Sequence, residues 1–394
     1  MIETNFKHTD IGVIPHDWEV RIIKDFADIT TGSQNTQDRI DNGEYPFFVR
    51  SSKVERINKY IFDTEGVITA GDGVGTGKIY HYINGKFGLH QRCYLVYNFE
   101  RVSAKYFYRI FGQHFYDRVQ GMTAKSSVDS VRMEMIADMP IPLPPTLAEQ
   151  EKIANALSKI DQLINDLGAL IEKKKAIKQG TMQDLLTAKR RLKGFTGEWN
   201  SVKLGDMCYF GKGKGLKKEY LTDNGRYKCI LYGEIFTKYD SIIKSVVSRT
   251  NIEEGTYSQK GDVLMPGSTT TLGIDLVKAV VINDNDVLLG GDVIILRPKE
   301  NQISSEFLAY LISNIDRNKV ADVTQGITII HLHAKNMTDI AYLIPPTLAE
   351  QNAIANILSS MDTEITNLKQ KRDKYIAIKQ GMMQNLLTGK IRLI

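Results

Sequence analysis

One stretch of this 394-residue chain occurs twice, and the repeat constrains the fold more than any other feature. The first copy starts at Pro144, opens PPTLAEQEKIANALSKID and closes AIKQGTMQDLLTAKRRL. The second copy starts at Pro345, opens PPTLAEQNAIANILSSMD and closes AIKQGMMQNLLTGKIRL. A long self-match at a fixed offset indicates a duplicated structural unit, so the fold must contain this unit twice.

Each copy predicts one long helix. Two prolines mark its start, and Thr146 with Glu149, like Thr347 with Glu350, has the spacing of a capping box. Apolar residues then recur at alternating steps of four and three, with a break in the second copy at polar Arg372, and this spacing is typical of a coiled-coil seam. The predicted helix-pairing residues are Ile153, Leu157, Ile160, Ile164, Leu167 and Ile171 in the first copy and Ile354, Leu358, Met361, Ile365 and Leu368 in the second.

Two such seams are buried most simply against each other. A globular segment separates the copies along the chain, so an antiparallel pair of helices is predicted. Each helix is about 60 Å long if it is fully formed, because an α-helix rises about 1.5 Å per residue. Gly180 and Gly381 lie inside the two helices and predict a bend or a stop there.

The chain repeats as a whole, as globular segment, helix, globular segment and helix. Residues 9–32 match residues 191–213, with Trp18 aligned to Trp199 and Gly32 to Gly213. The predicted domains are globular segments 1–143 and 194–344 and helical spacers 144–193 and 345–394. Short β-like runs and one helix near the end of each globular segment indicate an α+β fold for both. The last residues match those that lead out of the first helix, which predicts a pseudo-two-fold, pseudo-cyclic molecule.

Composition places the chain among soluble proteins. It has no run of 18 apolar residues and no signal-peptide core at its N-terminus, so we expect a cytoplasmic protein that does not enter a membrane. Cys93, Cys208 and Cys229 are scattered and form no C-x-x-C pair, so we expect reduced, buried thiols.

The net charge of +5 is unevenly distributed. Residues 172–193 hold eight basic and two acidic residues, and residues 369–394 hold seven basic and one acidic residue. These basic helix ends either complement the helix dipole and face solvent or contact phosphates. The sequence leaves both interpretations open.

Polar, glycine-rich loops of the globular segments carry side chains that can read base edges or hold phosphates. For each single residue the alternative is a solvated turn. The candidates for DNA binding are Arg50, Ser52, Lys53, Asp72, Thr76, Lys78, Gln91, Arg92, Thr123, Lys125 and Ser126 in the first segment, and Lys212, Lys214, Lys217, Tyr232, Glu234, Ser268, Thr269, Thr270, Thr328 and His331 in the second.

Motifs for catalysis fail on inspection. The segment GDGVGTGK does not match a phosphate-binding loop. Asp72 stands where that loop needs its first glycine, and Ile79 stands where it needs Ser or Thr. The E-x-K motif of nucleases is matched by Glu172, Lys173 and Lys174. These residues lie on a predicted helix and not on a sheet that could hold a metal ion, so the match is rejected. His331 and His333 have no third ligand nearby, so no metal site is predicted. We therefore expect no catalytic residue and no cofactor in this chain.

Two divergent globular segments separated by near-identical Pro-Pro-x-x-x-Glu-Gln helices resemble the specificity subunit of type I restriction–modification enzymes. The resemblance spans the chain and is carried by PPTLAEQ twice, GVIPHDW near the start, and IKQGTMQDLLT with IKQGMMQNLLT. It implies two target recognition domains that each read one half of a bipartite, asymmetric DNA site, and helices that set the gap. It also implies docking of two methyltransferase subunits, which directs adenine methylation.

In the full complex, the resemblance implies two further translocase–nuclease subunits and ATP-dependent cleavage of unmodified double-stranded DNA. S-adenosylmethionine, ATP and Mg²⁺ are then expected on the partner subunits. Two other interpretations compete with this one: a stand-alone coiled-coil adaptor that binds proteins, and a self-sufficient nuclease or methyltransferase. The missing catalytic motifs disfavour the latter.

Overall fold

The structure of the protein, a computed structural model, describes residues 5–73, 75–123 and 130–394. The chain divides into two compact units: the first is Met1–Leu167 with Lys371–Ile394, and the second is Gly168–Gln370. Each unit therefore combines one globular segment with part of both long helices, whereas the sequence suggested separate globular and helical segments.

The first unit is built on strands and helices whose bounds follow chain order. Its strands are β1 Phe6–Thr9, β2 Gly12–Pro15, β3 Glu19–Ile22, β4 Asp28–Thr31, β5 Tyr45–Phe48, β6 Glu55–Ile57, β7 Phe62–Ala70, β8 Tyr80–Leu89, β9 Cys93–Tyr97 and β10 Pro140–Leu143. Its helices are α1 Ala104–Thr123, α2 Met133–Ala137 and the first part of α3 Leu147–Leu186, with 3-10 turns at Ile23–Asp25 and Thr36–Asp38.

The second unit has the same kinds of element with more, shorter strands. Its strands are β11 Asn200–Lys203, β12 Cys208–Lys212, β13 Tyr227–Ile230, β14 Ile242–Ile243, β15 Ser248–Thr250, β16 Thr256–Tyr257, β17 Asp262–Pro266, β18 Ser268–Thr269, β19 Val280–Ile282, β20 Leu288–Leu289, β21 Val293–Pro298, β22 Ile330–His331 and β23 Ala341–Ile344. Its helices are α4 Leu204–Met207, α5 Tyr232–Thr237, α6 Ser305–Asn314, α7 Arg317–Ala321 and most of α8 Leu348–Leu386, with 3-10 turns at Lys218–Tyr220, Gly273–Leu276 and Ala334–Met337.

One six-stranded sheet forms the centre of the first unit, in the order β4-β9-β7-β8-β5-β6. Strands β5 and β8 are parallel, and the other neighbouring pairs are antiparallel. Val67 and Val96 of the sheet share a buried cluster with Phe107 and Phe111 of α1. The predicted β-like runs and the predicted helix near the end of this segment are confirmed.

The two larger sheets of the second unit have the orders β12-β21-β17-β19-β14 and β15-β13-β20-β16. Strand β17 lies between β21 and β19, as β7 lies between β9 and β8. Val263 and Leu296 share a buried cluster with Phe307 and Leu308 of α6. The α+β prediction holds for both units.

The two long helices run in opposite directions where they pack in the second unit. Lys174 of α3 pairs with Glu364 of α8 at 2.7 Å, and Lys178, one turn later, pairs with Asp362 at 2.5 Å. In the first unit, Lys379 near the end of α8 pairs with Asp161 of α3 at 2.6 Å. These contacts agree with the predicted antiparallel pairing of the helices.

Neither glycine inside the long helices ends them, contrary to one of the two outcomes expected from sequence. Both α3 and α8 continue through Gly180 and Gly381. A helical glycine costs only about 1 kcal/mol relative to alanine, which tertiary packing of the helix overrides. Of the predicted seam residues, all are buried except Ile164, Met361 and Leu368, which are half-buried.

The start of each long helix forms only half of the expected capping box. The Thr146 hydroxyl accepts the Glu149 backbone N–H at 3.2 Å, but the Glu149 carboxylate accepts hydrogen bonds from the guanidinium of Arg392. Glu350 is likewise held by Arg191, at 2.6 and 2.8 Å. The glutamate that the sequence assigned to a cap thus anchors the segment that follows the partner helix.

Two properties expected from composition can be compared with the structure. The three cysteines are free and buried, and burial raises the pKa of the Cys93 and Cys208 thiols to about 12. Within residues 5–73, 75–123 and 130–394, no helix is both long and apolar enough to cross a membrane.

Candidate nucleic-acid interface

Three charged side chains meet where strands of the first sheet end. Arg50 follows β5, Asp72 follows β7, and Arg92 precedes β9. Each arginine donates a hydrogen bond from Nη1 to a different oxygen of Asp72, at 2.8 Å from Arg50 and 2.6 Å from Arg92. The arginine side chains are 41% and 61% exposed. We call Arg50, Asp72 and Arg92 the first strand-end cluster.

The backbone around this cluster is tightly fixed. The Gly71 N–H donates to the Arg92 carbonyl at 2.8 Å, and a Cβ on Gly71 would lie 2.8 Å from that same oxygen. Next to Arg92, the Gln91 amide donates to the Asn35 side-chain oxygen at 2.5 Å. Only glycine permits so close an approach of the two strands. The cluster therefore rests on rigid strand ends.

A different set of side chains occupies the corresponding ends in the second unit. Lys212 at the end of β12 pairs with Asp292 at 2.9 Å, and the Ser268 hydroxyl donates to the same carboxylate at 3.1 Å. Strand β18 pairs with β22, which places His331 opposite Ser268. Lys212 is 59% and Asp292 36% exposed in their side chains. We call Lys212, Ser268 and Asp292 the second strand-end cluster.

Backbone hydrogen bonds show which positions of the two units correspond. Gly71 donates to Arg92 as Gly267 donates to Asp292, at 2.8 and 2.6 Å. The carbonyls of these two glycines accept bonds from Val131 at 2.7 Å and from Leu332 at 2.9 Å. Asp72 therefore corresponds to Ser268 and Arg92 to Asp292.

The same comparison pairs Arg50 with Tyr232. His90 donates to the Phe48 carbonyl at 2.9 Å, and Gly290 donates to the Ile230 carbonyl at 2.9 Å. Arg50 and Tyr232 each lie two residues beyond these acceptors. Side chains at equivalent positions thus differ in both size and charge.

Ion pairing shapes the charge of both clusters. Burial raises the pKa of Asp72, but hydrogen bonds from Arg50 and Arg92 outweigh it and leave the pKa below its ordinary value. Burial likewise raises the pKa of Asp292, and Lys212 with Ser268 lowers it further than burial raises it. Both carboxylates are therefore ionised at neutral pH and act as hydrogen-bond acceptors.

Most of the sequence-predicted contact residues lie on the surface. The exposed ones are Arg50, Ser52, Lys53, Lys78, Gln91, Arg92, Lys212, Lys214, Lys217, Tyr232, Thr270 and Thr328, while Asp72, Thr269 and His331 are half-buried. Besides Lys212, three of these lysines have protein partners. Lys53 pairs with Glu55 at 3.2 Å, Lys217 pairs with Glu219 at 3.6 Å, and Lys78 lies 5.1 Å from the ring centroid of Tyr116. The strand-end clusters bring together only some of these residues.

Three predicted contact residues are buried, and this corrects the sequence interpretation. The Thr76 side chain is 7% exposed and its hydroxyl donates to the Gly73 carbonyl at 2.6 Å. Glu234 is 6% exposed and accepts the Leu231 N–H at 2.9 Å, so it caps α5. Ser268 is 4% exposed, and its hydroxyl donates to the Asp292 carboxylate at 3.1 Å. Local capping and turn bonds use the polar groups that the sequence assigned to DNA.

Three predicted contact residues lie wholly or partly outside the described residues. Lys125 and Ser126 are not described, and Thr123 is the last residue of α1, with its side chain outside the described part.

Asp292 was missed by the sequence prediction. It could have been found by aligning the residues that precede β9 and β21, where His90-Gln91-Arg92 corresponds to Gly290-Gly291-Asp292. Among the described residues, no group of three or more His, Cys, Asp or Glu could hold a metal ion.

Comparison with known proteins assigns the class and then the family. A family model described as the type I restriction modification DNA specificity domain matches residues 15–179 and again residues 196–376. The protein is thus of a class that carries two DNA-specificity domains in tandem. It belongs to the family of type I restriction–modification specificity subunits.

Relatives agree over the full length. The chain is 26% identical to the putative type I restriction enzyme MjaX specificity subunit of Methanocaldococcus jannaschii, covering 99% of this chain and 97% of that one. It is also 26% identical to the MjaVIII specificity subunit of the same organism, with the same coverage. The S subunit of a type I system from M. genitalium shares the fold, with a TM-score of 0.67, 18% identity and coverage of 98% and 97%. Specificity subunits are non-catalytic parts of type I systems that bind DNA and assemble with methyltransferase and restriction subunits.

Proposed function

We propose that the two units read the two halves of one bipartite, asymmetric DNA site. The observation that carries this proposal is that equivalent backbone positions hold exposed Arg50 and Arg92 in one unit and exposed Tyr232 and half-buried Asp292 in the other. Side chains on fixed strand ends read base edges through their donor and acceptor patterns. Two different patterns on one frame select two different half-sites.

In this proposal the paired helices form a coiled coil that fixes the distance between the readers and relates the units by an approximate two-fold axis. Half-sites one helical turn apart lie about 34–36 Å centre to centre, which helices of this length can span. A pseudo-symmetric frame offers two similar surfaces, so it docks two copies of a methyltransferase subunit. The basic helix ends, which include Lys189 and Lys390, add phosphate contacts.

The activities of the complex follow from this arrangement. The chain positions adenine methylation on the bound site, and two restriction subunits add ATP-dependent cleavage of unmodified DNA in the cytoplasm. S-adenosylmethionine, ATP and Mg²⁺ are bound by the partners. The remaining exposed candidates, such as Lys53, Lys214 and Lys217, hold the DNA backbone in this proposal.

Co-expression tests the function directly. The chain is produced with a type I methyltransferase subunit from its own locus in a host without that system, and host DNA is sequenced for methylated adenine. The expected result is methylation in one bipartite sequence with a fixed gap, and none when either protein is expressed alone. Methylation of a continuous site, or a purified chain that methylates DNA by itself, would contradict the proposal.

A length change in both helices tests the spacer. Seven residues inserted after Leu167 and seven after Gln370 lengthen the helices by about 10 Å, which is about three base pairs at 3.4 Å each. The gap is expected to grow by that amount with both half-sites unchanged. Altered half-sites with an unaltered gap would show that the helices do not set the spacing.

A protein adaptor is the remaining alternative. It predicts that the chain binds its methyltransferase partner but that the complex retains DNA without sequence preference. Competition between a target duplex and a scrambled duplex separates the two functions.

A further inference from the structure

The small contribution of exposed ion pairs to folding stability does not explain the arrangement of the first strand-end cluster. Ion pairs between exposed side chains contribute about 0–1 kcal/mol, because solvent screens them and two long side chains lose freedom. Here two arginines from separate loops converge on the carboxylate of a third loop, and both arginines remain more than 40% exposed. The arrangement holds two guanidinium groups in place without burying them.

Each guanidinium keeps part of its donor fork available. Within the described residues, Arg50 and Arg92 use only Nη1 for Asp72, which leaves Nη2 and Nε of each. A planar fork with two parallel donors matches the N7 and O6 acceptors of guanine in the major groove. Because Asp72 restricts the rotamers in advance, less freedom is lost on binding. Asp72 acts here as a positioning residue.

The second cluster offers the opposite chemistry at the equivalent place. Asp292 corresponds to Arg92, and its carboxylate can only accept hydrogen bonds at neutral pH. Exocyclic amino groups of cytosine and adenine are the base-edge donors in the major groove. Lys212 on one side and Ser268 on the other hold this carboxylate at 2.9 and 3.1 Å. The position that donates in one unit therefore accepts in the other.

We propose that Arg50 and Arg92 each read the guanine of a separate G·C pair in one half-site, and that Asp292 reads a base amino group in the other. This assignment rests on the proposed function, since it requires that each unit contact one half-site. It adds the chemical class of base that each unit selects and the residues that select it.

The test measures selectivity base by base in the intact complex. Arg50→Ala, Arg92→Ala, Arg92→Lys and Asp292→Ala are each co-expressed with the methyltransferase subunit, and methylation is counted at every single-base variant of the target. Lys24→Ala and Lys203→Ala are matched controls, because both lysines lie on the surface in ion pairs with Asp138 and Asp339. The controls are expected to retain wild-type selectivity.

Loss of one bidentate contact is expected to reduce discrimination at one base pair by about 10- to 100-fold. Arg50→Ala and Arg92→Ala should relax G·C pairs in the same half-site, and Asp292→Ala should relax one pair in the other. Arg92→Lys keeps the charge but loses the fork, so it should relax the same pair as Arg92→Ala. Arg92→Lys also tests the proposal if the Arg92→Ala variant does not assemble with the methyltransferase subunit.

Any of three results would overturn the assignment. In the first, the arginine variants weaken methylation equally at all sequences, which is the signature of a phosphate contact. In the second, Asp292→Ala alters the same half-site as Arg92→Ala. In the third, Arg92→Lys remains as selective as wild type. Failure of the proposed function looks different, because the wild-type complex then methylates no bipartite sequence.

Discussion

In the first unit, the strand that ends at Ala70 is followed by a carboxylate that binds two arginines. In the second unit, the strand that ends at Pro266 is followed by Ser268, and the carboxylate lies across from it at Asp292. The glycines and backbone hydrogen bonds around these side chains are nevertheless the same in both units. The contrast shows that one backbone frame can hold oppositely charged side chains at an equivalent position.

Away from the strand ends, equivalent residues make the same side-chain contacts within each unit. The Gln150 amide oxygen accepts the Ser103 N–H at 2.8 Å, and Gln351 accepts the Ser304 N–H at the same distance. Gly32 and Gly213 each approach a neighbouring carbonyl so closely that a Cβ would lie 2.0 Å from it. The frame is fixed by such contacts, and the strand ends are free to differ.

A charge on the buried face of either long helix should give the largest effect. Leu157→Asp and Leu358→Asp each bury an unpaired carboxylate and lose a packed leucine, so unfolding should become easier by at least about 5 kcal/mol. Leu163→Asp and Ile357→Asp are controls, because these neighbours are 36% exposed. Thermal unfolding and methylation measure the outcome, and unchanged stability of either variant would contradict the burial of these leucines.

Removal of Arg392 should have the next largest effect. It leaves Glu149 buried without its partner and frees Asp17, which accepts hydrogen bonds from Arg392 at 2.8 and 2.9 Å. Breaking a buried ion pair on one side costs about 3–5 kcal/mol.

The equivalent change, Arg191→Ala, should cost somewhat less. Among the described residues, Arg191 binds Glu350 and a backbone carbonyl but no second carboxylate. Differential scanning calorimetry compares the two variants, and Arg392→Ala combined with Glu149→Gln should recover part of the loss. Equal stability of Arg392→Ala and wild type would exclude this anchor.

A buried ion pair distinguishes the two frames. Arg297 donates to fully buried Asp262 at 2.7 and 2.8 Å, whereas the equivalent pair in the first unit is Gly66 and Tyr97. Arg297→Ala should destabilise the second unit by about 2–3 kcal/mol, less than a fully buried pair because Arg297 is partly exposed.

Replacing both partners, with Asp262→Leu and Arg297→Met, should restore most of this stability. Exposed Lys260→Ala serves as the control. If Arg297→Ala were neutral, the charge pair would have no structural role, and urea unfolding distinguishes the two cases.

The pH dependence of Asp72 should give the smallest effect. Its folded pKa lies below the ordinary value, so its ion pairs stabilise the folded state above the unfolded pKa of about 4, and this stability is lost as pH falls through the folded pKa. The free energy of unfolding of wild type should exceed that of Asp72→Asn by less than about 1 kcal/mol at pH 7, and this difference should shrink as pH falls below about 4. Thermal unfolding across this range tests it, with Asp63→Asn as control, and a difference that persists at low pH would contradict the ion-pair account.

Helices were predictable from the sequence because their signal is local. The spacing of Ile153, Leu157 and Ile160 gave the buried face, and the repeat gave two copies of it. The strand-end clusters were only partly predictable. Arg50, Asp72 and Arg92 were each proposed as contacts, but their convergence on one carboxylate depends on sheet pairing between distant strands.

The errors have the same origin. Glu234 and Thr76 look available in the sequence, yet local helix-cap and turn bonds use their oxygens. Asp292 was overlooked because its importance comes from its place opposite Ser268 rather than from a loop motif. The loops differ between the two units and show no regular spacing of residue types, so such positions cannot be predicted from a sequence pattern.

A graft tests the central claim most directly. Strand β3 pairs with β10 at Glu19 and Leu143 as β11 pairs with β23 at Asn200 and Ile344, so residues 19–143 can replace residues 200–344 on matched strands. The resulting chain carries the first reader twice on the same helices. Methylation sequencing of its complex should reveal a symmetric target, with two inverted copies of the first half-site and the original gap. A target that keeps the original second half-site would contradict the account.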